Sequence, residues 1–310
     1  MRNQISKTLV DFAHKDDKLI LLAGDIGFRI FDDFIKKFPD RFINCGIAEQ
    51  NMISVSAGLA SEGMKPVIYT IIPFLIMRAY EQIRVDIGIN NQSVIMIGVG
   101  GGLAYDKLGS THHSYEDIAL MRCIPKMNIY SPFSPINASD CFEKAWSKLN
   151  DPVPSPSYIR LCKGGEPNIS GVKELKPNIY VSGNLNKSKC IISTGAISSL
   201  VINQLEKSKT FESISLIIIS EISTQTILNL KELLDNSKIK KILVVEEHFE
   251  SGGLYEAMAG VLIRFKDQLE IQNLCIDKKY IFEIYDREIL LENNGIDLSY
   301  ISDWIEENGQ

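Results

Sequence analysis

The chain has 310 residues, with 33 Lys+Arg against 39 Asp+Glu, a net charge of −6 and no basic block, which argues against nucleic acid as a partner. Its six cysteines (Cys45, Cys123, Cys141, Cys162, Cys190, Cys275) lie far apart without zinc-ligand spacing, as expected of reduced, buried thiols in a cytoplasmic protein. No apolar run reaches membrane-spanning length and the charged N-terminus is unlike a leader, so no membrane insertion or secretion is expected; the length favours two domains, each with a full core.

Leu19 to Ala23 reads as a short buried strand ending in Gly24-Asp25. Arg41-Phe42-Ile43-Asn44-Cys45 leads to a second strand end, and Gly46-Ile47-Ala48 then delivers Glu49 to the start of a helix. In that helix Met52, Ile53, Val55, Ala57, Leu59 and Ala60 are too dense for one apolar stripe, so it is expected to be buried on most sides. Glu49 in its first turn suits the helix dipole but is poorly solvated; it is either an ordinary helix-start Glu or a carboxylate kept for a specific partner. Further strands at Val67 to Ile72, Val94 to Val99, Met127 to Tyr130 and Tyr158 to Leu161 alternate with helical patterns, which predicts a mostly parallel sheet covered by helices.

Phe74 follows Pro73 at the end of an apolar strand. The run Gly100-Gly101-Gly102 lacks a third glycine at dinucleotide spacing, since Leu103 and Ala104 follow, and close backbone approach to a ligand explains it as well. Ser114 with Asp117 three residues on has the spacing of a loose capping box. From Gly164 to Leu185 the strand-helix pattern fails around Gly164-Gly165, Pro167 and Pro177, as in a crossing linker. A second series follows, with strands near Cys190 to Ser193, Ser215 to Ile219 and Lys241 to Val245, and helices at Ser198 to Leu205 and Gly253 to Leu262. Asp297 to Gln310 reads as a terminal acidic helix with a frayed tail. The expected fold class is α/β, with two domains, each a mostly parallel sheet flanked by helices: residues 1–166, a linker over 167–186, and residues 187–310.

The segments Gly24-Asp25, Phe38 to Phe42, Gly46 to Asn51, Ala57 to Ala60 and Gly63 to Val67 together resemble the pyrimidine-binding domain of the transketolase family. Phe74, Arg78 to Arg84, and Gly109-Ser110-Thr111-His112 with Glu116 to Ala119 follow in register. Ser193-Thr194-Gly195-Ala196 and Val244 to His248 resemble the family's C-terminal domain. The resemblance implies thiamine diphosphate as cofactor, activated by its own aminopyrimidine, whose imino tautomer requires a carboxyl group on a ring nitrogen; Glu49 matches that glutamate. It implies that Phe74 lies on the pyrimidine face, that Arg78 or Tyr80 faces the cofactor, and that His112 faces the substrate oxygens as catalytic donor, with His113 in place of the commoner glutamine as a second donor.

For the substrate, the resemblance implies that Arg160 grips a phosphate or carboxylate, although a strand-end Arg beside a linker suits a domain-interface ion pair equally. Relatives acting on sugar phosphates carry an acidic residue where this chain has Leu108, so either Asp106 reaches in or the donor lacks the corresponding hydroxyl. No Gly-Asp-Gly metal element occurs in the chain. The resemblance therefore implies a split transketolase: Mg2+ ligands and the diphosphate site on a separate N-terminal-type subunit, none of them here, and a heterotetramer of two of each chain. The β subunit of a 2-oxo-acid dehydrogenase and a non-catalytic scaffold subunit are the alternatives.

Overall fold

The computed structural model of the chain describes residues 1–262 and 269–307. In β1 (Leu19–Ala23) every side chain is buried, as only a strand covered on both faces allows. Alternation sends Leu19 and Leu21 into one core, with Ile5, Leu9 and Phe142 of helices Arg2–Lys15 and Pro135–Leu149. Ile20 and Leu22 enter the opposite core, against Met52, Ile53 and Ala57 of helix Glu49–Ser61. With β2 (Phe42–Asn44), β3 (Lys65–Ile71), β4 (Ile95–Val99), β5 (Asn128–Tyr130) and β6 (Ser157–Leu161), β1 forms a parallel sheet of order β2-β1-β3-β4-β6-β5. The chain leaves β2 at the edge and returns on the far side of β1 as β3. The C-terminal ends of β1 and β3 thus flank a topological switch point, where open α/β sheets hold ligands.

The second sheet has the order β12-β11-β9-β10-β8-β7, from β7 (Lys173–Lys176), β8 (Ile179–Ser182), β9 (Lys189–Thr194), β10 (Ser215–Ile219), β11 (Lys241–Phe249) and β12 (Glu270–Ile276). Strands β9 to β12 are parallel, and the β7–β8 hairpin adds antiparallel to β10. The stretch 167–186, expected as a linker, therefore carries two strands of this sheet. Pro177, which reads as linker punctuation, forms the hairpin turn with Asn178, which lies in the left-handed region (φ 65) with its N–H donating to Glu174 Oε1 at 2.7 Å. Strand β11 runs four residues beyond its expected end and so brings Glu246, Glu247 and His248 to the domain junction. At the C-terminus, where the sequence predicts a helix with a frayed tail over Asp297 to Gln310, the helix spans Tyr300–Glu306, and residues 308–310 lie outside the described residues. All six cysteines are free, with Cys123 exposed rather than buried, and no helix among the described residues is long and apolar enough to cross a membrane.

The sheets are joined where Ser131 N–H donates to Ser220 O (2.8 Å) and Ile222 N–H to Ile129 O (2.9 Å). One apolar core runs through both, from Ile68 and Met96 to Ile192 and Ile217. Two buried titratable groups sit beside this junction. Glu246 accepts the Leu254 and Tyr255 N–H groups at the start of helix Leu254–Leu262 (2.5 and 3.0 Å), and burial lifts its carboxyl from 4.5 to about 7. His248 donates from Nδ1 to Phe249 O (2.7 Å), and burial lowers its imidazole from 6.5 to about 4.

These two shifts act oppositely on stability over one pH window. A carboxyl raised in the folded state takes its proton there first, so its contribution grows as pH falls from about 7 to 4.5 and is lost again as pH rises. The depressed imidazole leaves the unfolded chain to bind its proton first, so its contribution is lost as pH falls from 6.5 toward about 4. Each amounts to roughly 3 kcal/mol. Glu246→Gln, which keeps a carbonyl acceptor for the helix start, should therefore make the melting temperature fall more steeply than in wild type between pH 7 and 4.5. Parallel melting curves across that range would show that the carboxyl does not titrate in this way.

Candidate active site

Glu49 is the first residue of its helix, 1% exposed, and the preceding Ala48 offers no side-chain cap. The turn into it is shaped by Asn44, whose Oδ1 accepts the N–H groups of Gly46 (2.9 Å) and Asp25 (3.2 Å). A Cβ on Gly24 would lie 3.0 Å from Thr70 Oγ1 and 3.6 Å from Glu49 Cγ. The carboxylate thus packs against the ends of β1 and β3, at the switch point. Thr70 Oγ1 is buried beside it without a hydrogen-bond partner.

From this carboxylate a continuous line of side chains runs outward. Arg78 Nη1 donates to Glu49 Oε2 at 2.6 Å, with the arginine side chain 41% exposed. Its guanidinium lies 4.5 Å above the Phe74 ring, which meets His112 edge-on at 5.1 Å. His112 faces Tyr105 at 6.0 Å, Lys163 Nζ is 5.5 Å from the Tyr105 ring, and Lys163 Nζ lies 3.9 Å from Asp106 Oδ1. His112 Nδ1 and Thr111 Oγ1 are 3.0 Å apart, with the donor set by the imidazole tautomer. Partial burial lowers the His112 pKa from its ordinary 6.5, so a neutral ring prevails at neutral pH. Glu49, Arg78, Phe74, His112 and Asp106 are therefore brought into one surface.

Several expected placements differ. Phe74 is not at a strand end: β3 stops at Ile71, and Pro73 lies in the first turn of the short helix Ile72–Ile76 that carries the ring. Tyr80 is turned away, its hydroxyl donating to Leu120 O at 2.9 Å against the core; Arg78 lies in the turn after helix Ile72–Ile76, and Ala79 (φ −113, ψ 22) caps a new helix that begins at Tyr80. His113 points inward, 2% exposed, with neither ring nitrogen hydrogen-bonded and its pKa lowered chiefly by burial. Leu108 is 50% exposed on the loop, its N–H donating to Tyr105 O at 2.9 Å.

Arg160 forms its ion pair within the first domain, with Asp117, and reaches the second domain through a hydrogen bond to the Glu247 carbonyl. Its Nε donates to Asp117 Oδ2 (2.8 Å), which Tyr158 also reaches (2.7 Å), and its Nη2 donates to Ser114 O (2.9 Å) and Glu247 O (3.0 Å). Asp117 is consequently no partner in a capping box; helix Asp117–Arg122 starts after Glu116 with no side-chain cap, and Ser114 Oγ is buried and unpartnered. The glycines at 100–102 admit protein rather than a ligand. An added Cβ would fall 2.2 Å from Tyr105 at Gly100, 2.8 Å from Arg160 at Gly101 and 2.2 Å from Glu247 at Gly102. Lys163 and Tyr105 join the site without having been singled out. Only the position of Lys163 just before Gly164-Gly165 signalled it, and nothing in the local pattern signalled Tyr105.

A buried carboxylate at the switch point of a parallel α/β sheet, with an aromatic ring and a histidine loop nearby, lies where sheets of this type hold small-molecule ligands. The family described as "Transketolase, pyrimidine binding domain" matches residues 1–165, and the chain belongs to the transketolase family. It is 36% identical to one subunit of the apulose-4-phosphate transketolase of Phocaeicola vulgatus over 54% of this chain, spanning about half (53%) of that relative. The like-named polypeptide from Actinobacillus succinogenes is 30% identical over 87% of this chain and 85% of its own length. Among solved structures, a chain titled "Split gene transketolase, inactive beta4 tetramer" superposes with a TM-score of 0.78 at 25% identity, over 99% of this chain and 96% of that one. This chain is accordingly similar to the β subunit of a split transketolase, an enzyme component of the transketolase-like transferase class.

Removing Arg160 should be a stability event before it is a binding event. Arg160→Met leaves Asp117 charged, buried and unpaired, and should lower unfolding stability by roughly 3–5 kcal/mol, read as a shift of the urea midpoint. A variant as stable as wild type would return Arg160 to the ligand-binding candidates.

Proposed function

We propose that this chain is the β-type subunit of a two-subunit, thiamine-diphosphate-dependent transketolase that transfers a two-carbon ketol unit between sugar or sugar-phosphate substrates. The observation that carries this is the Glu49 carboxylate, 1% exposed at the switch point, with a line of Arg78, Phe74 and His112 leading outward from it. These groups fit the aminopyrimidine: a buried acceptor suits a protonated ring nitrogen, Phe74 offers an aromatic face, and the unpartnered Thr70 hydroxyl lies beside the carboxylate. When bound, the cofactor supplies a nucleophilic carbon that adds to a ketose carbonyl.

The chain's own residues do the rest of the work assigned to this half of the site. Glu49 holds a proton against the pyrimidine, in surroundings dry enough to strengthen the bond. Arg78 keeps that carboxylate oriented while its exposed flank faces the crevice. His112, neutral and at the rim, donates toward or accepts from a substrate oxygen as charge develops on it. Lys163 beside Tyr105 offers the anion contact for a phosphorylated tail, a task for which Arg160 has no spare donors at Nε and Nη2. The diphosphate and Mg2+ would be held by a separate N-terminal-type subunit, two of each chain assembling in the cytoplasm. Two observations support that arrangement: both relatives are named as single subunits of a transketolase, and the similar structure carries a split-gene title.

Calorimetric titration of the purified chain with thiamine diphosphate and Mg2+ should give no micromolar binding until the partner is added. Tight binding to the chain alone would remove the need for a split site. In the reconstituted enzyme, Glu49→Gln should preserve assembly and reduce turnover about a hundredfold or more. Turnover within about threefold of wild type would reduce the carboxylate to a structural role.

The donor is tested by a panel of ketose phosphates, a 2-oxo acid and deoxy analogues. With Leu108 at the loop and Asp106 drawn toward Lys163, donors lacking the usual hydroxyl should be accepted. Leu108→Asp should restore discrimination, because a polar site rejects a substrate that leaves it unpaired. Lys163→Ala should raise KM for phosphorylated substrates alone. An unaltered preference for an ordinary ketose phosphate in Leu108→Asp would assign that contact to another group.

A further inference from the structure

The loop that carries His112 leaves β4 and returns to helix Asp117–Arg122 through a narrow neck. Gly102 and Ser114 close it with reciprocal backbone hydrogen bonds (2.6 and 2.9 Å). The residue that follows each of them is buried in the second domain's core: Leu103 and Tyr115 pack with Ile218, Val245 and Phe249, the Tyr115 and Phe249 rings 4.6 Å apart. Phe249 N–H donates to Tyr115 O at 2.9 Å. The neck is therefore held from two sides, by Arg160 of β6 at Ser114 O and by β11 and its surroundings at Leu103 and Tyr115.

Glu247, 3% exposed on β11, supplies the polar part of this grip. Its Oε1 accepts the Leu103 N–H at 2.8 Å and Arg287 Nε at 3.0 Å, and its Oε2 accepts Arg287 Nη2. The fork of Arg287 fixes the carboxylate plane, so the oxygen offered to Leu103 has little freedom. Gly102 allows this approach, since a Cβ there would fall 2.2 Å from Glu247 Cδ. From the second domain, the outer part of the loop receives the solvent-exposed pair Lys107–Asp286 (2.8 Å), which contributes little.

We infer that Glu247, locked by Arg287, is a positioning residue for His112: the second domain sets the reach of the histidine across the Phe74 surface by fixing the neck of its loop. The inference rests on the role proposed for His112. It accounts for a largely buried ion pair, Glu247–Arg287, that meets the backbone carrying one of the site's side chains.

The test is a double-mutant cycle in the reconstituted enzyme, joined to hydrogen exchange on the purified chain. Glu247→Ala should accelerate amide exchange across residues 103–113 and leave helix Glu49–Ser61 protected as in wild type. Its kcat should fall about 10- to 100-fold, as a displaced catalytic group predicts, while binding of the cofactor by the assembled enzyme is unchanged. Glu247→Gln, which retains an acceptor for Leu103 N–H, should recover part of that loss, and it replaces the alanine variant in the cycle if the latter does not assemble. In a His112→Ala background the same substitution should cost less than about twofold, since the group through which it acts is gone. Losses that multiply in the double variant would overturn the positioning role alone. Wild-type turnover in His112→Ala would overturn the histidine's proposed role and the inference together.

Discussion

A buried guanidinium needs partners for its donors, and Arg160 uses Nε and Nη2 to join three parts of the molecule. It binds the Asp117 carboxylate, the Ser114 carbonyl at the loop neck and the Glu247 carbonyl of β11. Asp117 is held charged against the cost of complete burial by Arg160 and by the Tyr158 hydroxyl. The direction of its shift agrees with that of Arg160, whose own charge is reinforced by Asp117. The first sheet, the histidine loop and the second sheet thus share one electrostatic knot, and the glycines at 101 and 102 are the backbone's accommodation to it.

Around this knot the site divides into a dry interior and a wet rim. Glu49 and Thr70 belong to the interior, where a polar group without a partner is costly. Arg78, His112 and Lys163 stand at the rim, each held by an aromatic contact: Phe74 under Arg78 and beside His112, Tyr105 beside His112 and Lys163. Rigid rings give the flexible cationic side chains defined positions without neutralising them. His112 and His113, adjacent in the chain, have opposite fates for the same reason: one reaches this aromatic rim and the other is folded inward.

The second domain bears none of the side chains along the line from Glu49 to Lys163, but it shares a continuous apolar core with the first and encloses the loop neck. Such an arrangement makes it a structural determinant of the site. Its strand β11 matters most, because the three residues at its extended end, Glu246, Glu247 and His248, meet in turn a helix N-terminus, the loop neck and the backbone of helix Asp117–Arg122.

What the amino-acid order determined by itself was whatever short-range periodicity encodes. The continuous apolar runs of β1, β4 and β10 specify strands buried on both faces, and the alternation with helices specifies two parallel sheets. Glu49 stood out as a carboxylate at the head of a densely apolar helix, which left an ordinary helix-start Glu open; its assignment to a cofactor, and the roles of Phe74, Arg78 and His112, came only with the resemblance to the transketolase family. The hairpin over Lys173–Ser182 escaped because a proline turn between two four-residue strands looks like linker until β10 is there to pair with it. Tyr80, Arg160 and His113 could not be oriented from spacing, since a break of φ at Ala79, a carbonyl pair from two domains and the inward turn of a loop each depend on contacts distant in sequence. Tyr105, Lys163, Glu247 and Arg287 entered for the same reason: directional hydrogen bonds and ring contacts select their partners in space, and only the folded chain brings those partners together.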